Sequence, residues 1–444
     1  MAKGQKARGP PPPLGPTKTF KYGMPLYGLA WPEGATFYAC GGGGSVSSGI
    51  KNRLVCAEAH GGVLTDQTAE FLFGLDCPTR LVVSPGCKSI VFAMGKGGIQ
   101  RLDVDARVKP PRFTEVTGAL ADRLKAITMD VKALAFHPSG DFLALGGEDG
   151  SVVVYEWPSL RVKMELSGDR KLPEAVKDLD WVPSAPASSG AWRSSERALA
   201  VVLDNGACAV LNVDKAGAQM CKVELSKGDF KNDRVMLVTS DNQLIIHHLP
   251  PGLENAHFSR IRCRAAPPSS RGAHGGGGDA VSLLCLMNNR NGCHVAIWEL
   301  SGDGLLSMRA TCRVSESPGA CMDASADGAM VAVGTSEGDV ALVSCRPRLR
   351  VVKRFKKAHM IFTTNMAFSA DGAYVLSASA DASATLHSTA LPPPPDFKKI
   401  LVLAFFVLTL VLMCLLQVLR VLKQRGMTVA EIYALIGLRP KDEL

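Results

Sequence analysis

A layout of roughly 35 to 45 residues recurs along this chain and limits its fold more than any other feature. Three copies are clear, at residues 131–166, 321–355 and 363–391. Each copy starts with a short β-rich run, passes through a turn rich in Asp and Gly, and then alternates further strands with turns. Asp and Gly tolerate the positive φ values that tight hairpins require. Each copy therefore predicts one antiparallel sheet of three or four strands.

Four weaker copies bring the number of repeats to seven. They begin near Tyr27, Thr79, Val176 and Phe258. This repeat length and strand count are typical of the blades of a WD40-type β-propeller. The Trp-Asp dipeptide of such repeats is missing, and Glu156-Trp157 and Trp298-Glu299 stand in comparable places. We therefore predict an all-β fold, a diverged seven-bladed WD40-like β-propeller over residues 21–391, followed by one C-terminal transmembrane helix.

Three segments do not fit the repeat. Residues 1–20 are basic and rich in Pro and Gly, so we predict a disordered N-terminal segment. The segment Arg234–His248 predicts extra strand material between the fourth and fifth blades. The segment Pro267–Asp279 contains a run of glycines and predicts a flexible surface loop.

The C-terminal part contains an apolar run of membrane length. Residues 400–419 carry no charge and would span about 30 Å as a helix, so we predict a transmembrane helix there. The preceding residues 392–399 predict a Pro-rich linker. The tail, residues 420–444, ends in Lys-Asp-Glu-Leu, a retrieval signal that is read in the lumen of the endoplasmic reticulum. We therefore predict a lumenal tail.

The orientation of the membrane helix depends on further sequence features. Positive charges flank the run on both sides, and their count leans slightly against a cytosolic N-terminal part. However, the N-terminal residues contain no apolar signal segment that would export the propeller. We therefore predict a single-pass type II protein of the endoplasmic reticulum membrane, with its propeller in the cytosol.

Charge and cysteine usage exclude several classes of function. The net charge is +9, with basic clusters near the N-terminus and at residues 346–357, but no nucleic-acid-binding motif accompanies them. We predict no nucleic-acid partner; a surface facing anionic lipid and an ordinary solvated loop both remain open. The 13 cysteines are scattered without a C-x-x-C pair or a metal-binding spacing. They are typical of small buried thiols in a reducing compartment.

The first repeat contains an unusually long connection between two predicted strands. Residues 35–40 and 53–57 read as strand partners, yet residues 41–52, GGGGSVSSGIKN, separate them where two to five residues would suffice. Consecutive glycines allow φ values closed to other residues, and exposed carbonyls could bind a hard cation. A phosphate-binding loop is excluded because Ile50 precedes Lys51 where the motif needs glycine, and no helix follows. A floppy loop without function remains an alternative.

With this loop, the diverged propeller and the membrane run, the chain resembles a known family over residues 22–419. That family comprises the endoplasmic reticulum exchange factors for the Sar-type small GTPase that starts COPII coat assembly. The resemblance implies that the loop binds a potassium ion and presses on the GTPase. By position, the backbone groups implied for potassium belong to Gly41, Gly42, Gly43, Gly44 and Gly49. Asn52 and Ile50 are the implied exchange residues, with Ile50 as an apolar wedge.

The implied function is activation of the Sar-type GTPase by a membrane-anchored exchange factor, without chemical catalysis. The sequence has no paired carboxylates and no Ser-His-Asp arrangement that would indicate an enzyme. An alternative is a non-catalytic relative, like the plant phosphate transporter traffic facilitators, which helps membrane cargo to leave the endoplasmic reticulum. A generic membrane-tethered propeller scaffold is a third hypothesis.

Overall fold

The computed structural model describes residues 18–183, 196–225, 234–239, 244–265, 281–301, 306–391 and 397–426. The chain divides into two compact units, residues 1–390 and residues 391–444. Within the described ranges of the first unit, 31 strands form seven antiparallel sheets. The innermost strands of the sheets contact one another in a closed ring. The predicted seven-bladed β-propeller is confirmed.

The strands of the first three blades follow one another in chain order, after a first strand β1 (Thr19–Lys21). Blade one consists of β2 (Leu26–Glu33), β3 (Thr36–Gly41), β4 (Asn52–His60), β5 (Val63–Leu64) and β6 (Ala69–Gly74). Blade two consists of β7 (Pro78–Val83), β8 (Ser89–Met94), β9 (Ile99–Asp105) and β10 (Arg112–Glu115). A helix, α1 (Ala119–Lys125), then leads to blade three. Blade three consists of β11 (Val131–Phe136), β12 (Phe142–Gly147), β13 (Val152–Glu156) and β14 (Arg161–Leu166).

The remaining four blades continue the pattern. Blade four consists of β15 (Val176–Val182), β16 (Ala198–Leu203), β17 (Cys208–Asn212), β18 (Ala218–Leu225), β19 (Arg234–Thr239) and β20 (Leu244–His248). Blade five consists of β21 (His257–Ala265), β22 (Val281–Asn289), β23 (Gly292–Leu300) and β24 (Leu306–Ser315). Blade six consists of β25 (Gly319–Ala324), β26 (Met330–Thr335), β27 (Val340–Ser344) and β28 (Arg350–Phe355). Blade seven contains β29 (Thr363–Phe368), β30 (Tyr374–Ser379) and β31 (Ser383–Ser388).

The N-terminal strand closes the ring by completing the last blade. β1 pairs antiparallel with β31, with Phe20 opposite Ala384. The sequence analysis assigned Thr19 and Phe20 to the disordered segment, and the structure corrects that boundary. Phe20, Tyr22 and Met24 are buried at alternate positions, a strand pattern that the surrounding Pro, Gly and Lys residues concealed. Residues 1–17 lie outside the described part of the chain.

The extra strand material predicted over residues 234–248 extends the fourth blade. β19 pairs with β18 and β20 pairs with β19, so this sheet has six strands. The glycine-rich segment 267–279, in contrast, lies outside the described residues.

The core lies between neighbouring blades, and it explains why the middle strands are continuously apolar. Every residue of β8 and of β16 is buried. A blade in the ring is covered on both faces, so its middle strands lack the polar alternation of a half-exposed strand. All 13 cysteines are free thiols, and nine of them are buried in this core.

In the second unit, the described residues 397–426 contain the long helix α2 (Phe397–Gln424). Its residues 404–424 include an 18-residue window with a mean hydropathy of 2.5, and they are long and apolar enough to cross a membrane, by length and composition. The predicted span 400–419 lies within α2, which extends beyond it in both directions. Residues 392–396 of the predicted linker and residues 427–444, with the terminal Lys-Asp-Glu-Leu, lie outside the described residues.

Candidate functional site

The long connection of blade one lies at the end of the propeller where the innermost strands begin. Gly41, at the end of β3, pairs with Leu26 at the start of β2 and with Arg53 near the start of β4. The Thr364 hydroxyl, at the start of the innermost strand of blade seven, donates to the Leu26 carbonyl at 2.6 Å. We call the end that carries these residues the loop end, and we call residues 42–51 the glycine loop.

The glycine loop has its own hydrogen-bonded structure. It contains a short 3₁₀ turn at Val46–Ser48. The Ser45 carbonyl accepts from the Ser48 amide at 3.2 Å and from the Ser48 hydroxyl at 2.7 Å. The Ile50 amide donates to the Ser48 hydroxyl at 3.2 Å. These bonds favour a defined shape over a floppy loop, and Gly44, Ser45 and residues 47–51 are all exposed to solvent.

Asn52 anchors the glycine loop to the blade. Its side chain is buried, with 4% of the residue exposed. The Asn52 carbonyl oxygen Oδ1 accepts from the Gly44 amide at 3.0 Å. The Asn52 Nδ2 group donates to the carbonyls of Gly44 at 3.3 Å and Gly74 at 3.1 Å. One amide side chain therefore connects the first part of the loop, the start of β4 and the end of the outer strand β6.

Glycines are required in the loop because the backbone approaches other groups closely. Gly42 has a φ of +152°, and a Cβ there would lie 2.2 Å from Asn52 Oδ1. A Cβ on Gly43 would lie 2.0 Å from the Ser48 hydroxyl oxygen. Gly44 has open space around it, so a Cβ would meet no other group there. Glycine is favoured at this position because its φ is +76°. The same holds for Gly49, with a φ of +67°.

Oxygen atoms without charge dominate the chemistry of the loop. They are the carbonyl oxygens of its glycines, the Asn52 amide oxygen and the serine hydroxyls. Among the described residues, no group of three or more His, Cys, Asp and Glu side chains is placed to hold a metal ion. Neutral carbonyl oxygens are the ligands that replace the hydration shell of potassium in proteins. Neutral oxygens are thus the atoms that the loop offers, and the potassium site that the resemblance implies at Gly41, Gly42, Gly43, Gly44 and Gly49 stays a prediction.

Exposed apolar side chains accompany the loop on blade one. Ile50 is 38% exposed. Leu72 and Leu75 are 48% and 62% exposed, and they lie on either side of Gly74, the residue that Asn52 binds. The sequence analysis singled out Ile50 but not the two leucines, because β6 was not predicted as a separate strand.

A second exposed apolar segment lies at the loop end, in the connection between β28 and β29. It consists of Met360, Ile361 and Phe362, with 81%, 42% and 46% exposure. The Met360 amide donates to Asp381 Oδ2 at 2.7 Å, and the Phe362 carbonyl accepts from the Ser379 hydroxyl at 2.9 Å. We call residues 360–362 the apolar triplet. Sequence reasoning missed it, although three consecutive large apolar residues in a connection are a detectable signal.

His359 immediately precedes the apolar triplet and hydrogen-bonds to two serines of blade seven. Its ring nitrogens lie 2.8 Å from the Ser383 hydroxyl and 2.7 Å from the Ser377 hydroxyl, and all three residues are buried. Burial lowers the pKa of His359 to about 4, so the ring is neutral near pH 7. The role of this histidine is therefore structural.

Comparison with known proteins agrees with this architecture. The family described as "WD domain, G-beta repeat" matches residues 121–156, which end at the close of β13 in blade three. SEC12-like protein 2 of Arabidopsis thaliana is 24% identical over 343 residues, which cover 76% of this chain and 72% of that protein. Among solved structures, Sqt1 from Chaetomium thermophilum is similar with a TM-score of 0.55 and 12% identity, over 84% of this chain and 99% of that one. The likeness to Sqt1 shows the fold alone.

The ring of seven sheets and the matched repeat define a WD40 β-propeller protein. Within the WD40 β-propeller proteins, this chain is similar to SEC12-like protein 2 over three quarters of its length. Together with the propeller fold and the matched repeat, this similarity supports a relationship to WD40 propellers of the Sec12 type.

Proposed function

We propose that this protein is a guanine nucleotide exchange factor, anchored in the endoplasmic reticulum membrane, for the Sar-type GTPase of COPII vesicles. One observation carries the proposal: an exposed and internally hydrogen-bonded glycine loop is anchored by Asn52 on the rigid propeller of a Sec12-type chain. The partner is a small GTPase, and the protein regulates it without performing chemistry of its own.

The mechanism follows from coupled binding. A protein that binds the nucleotide-free GTPase more tightly than the loaded form weakens GDP binding by the same factor, because the coupling is reciprocal. A preformed loop is suited to this task, since a surface already ordered before binding loses less conformational entropy on contact. Ile50 would supply an apolar contact at the tip, and Asn52 would act as a positioning residue at the base. Bound potassium would add a fixed positive charge that orders the loop carbonyls.

A nucleotide-release experiment tests the proposal. The full-length chain in detergent micelles is mixed with a Sar-type GTPase loaded with a fluorescent GDP analogue, and release is followed in potassium and in choline buffer of equal ionic strength. We expect accelerated release, and faster release in potassium than in choline. If release equals the spontaneous rate in both buffers, the exchange function is wrong, and the cargo-helper alternative takes its place.

Ile50→Ser should reduce exchange with little change in stability. The side chain is 38% exposed, so the fold depends on it weakly, whereas a central apolar contact in an interface contributes about 1–2 kcal/mol, or roughly 5- to 30-fold in kcat/KM. Val108→Ser is the control, because Val108 is 49% exposed in the connection between β9 and β10, at the opposite end of blade two. Equal activity of the two variants would exclude Ile50 from the contact.

We also propose that α2 spans the membrane with the propeller in the cytosol, because that is where a Sar-type GTPase would be met. Protease added to sealed microsomes should then digest the propeller and leave a fragment that contains α2. Protection of the propeller against protease, reversed by detergent, would contradict this orientation.

A further inference from the structure

The central channel of the propeller contains an excess of arginine that the proposed function does not use. The innermost strands of all seven blades line a cavity of about 500 Å³. A volume of this size is within the usual range for small-molecule sites. The charged side chains that line it are Arg80, Arg260, Arg262, Arg264, Lys132, Lys177, Asp178, Asp180 and Asp323.

The three channel aspartates already have partners. Arg262 Nη1 lies 3.0 Å from Asp178, and Arg262 Nε lies 3.3 Å from Asp323. Arg264 lies 3.4 Å from Asp180. Backbone amides of β21 also donate to Asp178 and Asp180, at 2.9 and 2.8 Å.

The two channel lysines are held by carboxylates that do not line the cavity. Lys132 lies 3.3 Å from Asp130 and 2.8 Å from Glu148. Lys177 lies 3.2 Å from Asp204. The net charge inside the channel therefore depends on four arginines and three aspartates. Their charges sum to one excess positive charge.

Of the four arginines that line the channel, Arg80 and Arg260 have no ion pair to a described residue. Arg80 Nε donates to the Lys132 carbonyl at 3.4 Å, and Arg260 Nη1 donates to the Ser259 carbonyl at 3.0 Å. Neither bond neutralises a charge. The nearby Asp178 offsets Arg80 only in part, since its carboxylate is engaged by Arg262.

Arg80 and Arg260 line the same cavity from two innermost strands, β7 and β21. Burial lowers the pKa of Arg80, and the positive charge of Arg260 lowers it further. Burial raises the pKa of the Cys321 thiol to about 12, while Arg260 and Arg80 both act on it in the opposite direction. Arg80 lies near the start of β7, and Arg260 precedes Arg262 and Arg264 along β21. Because innermost strands begin at the loop end, the unpaired arginines lie nearer that end than the paired ones.

We propose that an oxyanion of the phosphate class, either inorganic phosphate or a small phosphate monoester, binds in the central channel between Arg80 and Arg260. The planar guanidinium fork matches the spacing of phosphate oxygens, and two forks that face one cavity can hold the anion from both sides. One bound anion also removes the repulsion between the two cations. The site is independent of the glycine loop and of the exchange function.

Thermal unfolding and calorimetric titration of the full-length chain in detergent micelles test this site. Sodium phosphate is compared with sodium chloride at equal ionic strength, and the variants are Arg80→Gln and Arg260→Gln. We expect saturable phosphate binding and a raised unfolding temperature for the unmodified chain. Each variant should bind phosphate at least tenfold more weakly and unfold in chloride no earlier than the unmodified chain. Arg107→Gln removes an exposed arginine that pairs with Asp105, and it should keep the full response.

The outcomes separate a site from a general salt effect. Equal responses of the Arg260→Gln variant and the unmodified chain would overturn the proposal, as would equal effects of phosphate and chloride. If Arg80→Gln does not fold, titration of Arg260→Gln alone decides the question. Glycerol 3-phosphate distinguishes the source of the ligand. Tighter binding than that of inorganic phosphate would indicate an ester, such as a headgroup, and weaker binding would indicate the free ion.

Discussion

Replacing Asn52 with alanine is expected to slow exchange on the Sar-type GTPase by roughly 30- to 150-fold, which corresponds to about 2–3 kcal/mol. The side chain makes three hydrogen bonds to backbone groups of Gly44 and Gly74. Without them the base of the glycine loop loses its anchor, and the loop must be ordered at the moment of contact with the GTPase. The measurement is kcat/KM for release of a fluorescent GDP analogue, with the unfolding temperature recorded in parallel.

The chain contains a matched control for this variant. Asn289 is also buried, and its side chain accepts from the Asn291 amide at 2.9 Å and donates to the Gly252 carbonyl at 2.8 Å. It precedes the short β22–β23 connection, at the loop end of blade five. Asn289→Ala should therefore lower the unfolding temperature about as much as Asn52→Ala and leave exchange unchanged. A similar loss of exchange in both variants would mean that Asn52 acts through stability alone.

Most of the fold could be predicted because its information is local. Each blade carries its own strands and its own Asp- and Gly-rich turns within a short stretch, so single segments such as 131–166 indicate a sheet without reference to the rest of the chain. The closure of the ring is different. Phe20 pairs with Ala384, and a contact between two ends of a chain leaves no periodic signal that relates them.

The candidate site was only partly predictable for the same reason. The glycine run and the length of the connection marked the loop, and they are visible within 12 residues, 41–52. The function of Asn52 as an anchor depends on Gly74, which lies on another strand. The apolar triplet is positioned at the loop end by its hydrogen bonds to Asp381 and Ser379 in blade seven. Contacts between segments that are distant in sequence decide which side chains share the surface, and sequence spacing does not report these contacts.

Tyr22 contacts both the strands that close the propeller and the base of the glycine loop. Its amide donates to the Ala382 carbonyl of blade seven at 2.9 Å, and its hydroxyl donates to the Thr65 carbonyl of blade one at 2.9 Å. Its own carbonyl accepts from the guanidinium of Arg53, the residue after Asn52. The aromatic ring of Tyr22 is buried, and its centroid lies 4.9 Å from the centroid of the Phe20 ring. Tyr22 therefore connects the segment after β1 to blade seven and to blade one.

Tyr22→Ala is expected to lower the free energy of unfolding by about 3–5 kcal/mol, as is usual when a large buried aromatic side chain is removed. Denaturant unfolding of the full-length chain in detergent, followed by tryptophan fluorescence, measures this change. Tyr22→Phe is the matched control, because it keeps the buried ring and loses only the bond to Thr65, at a cost of about 1 kcal/mol. If the alanine variant unfolds at the same denaturant concentration as the phenylalanine variant, the aromatic ring does not hold the propeller closed. If both unfold as the unmodified chain does, the closure of blade seven by β1 contributes little to stability.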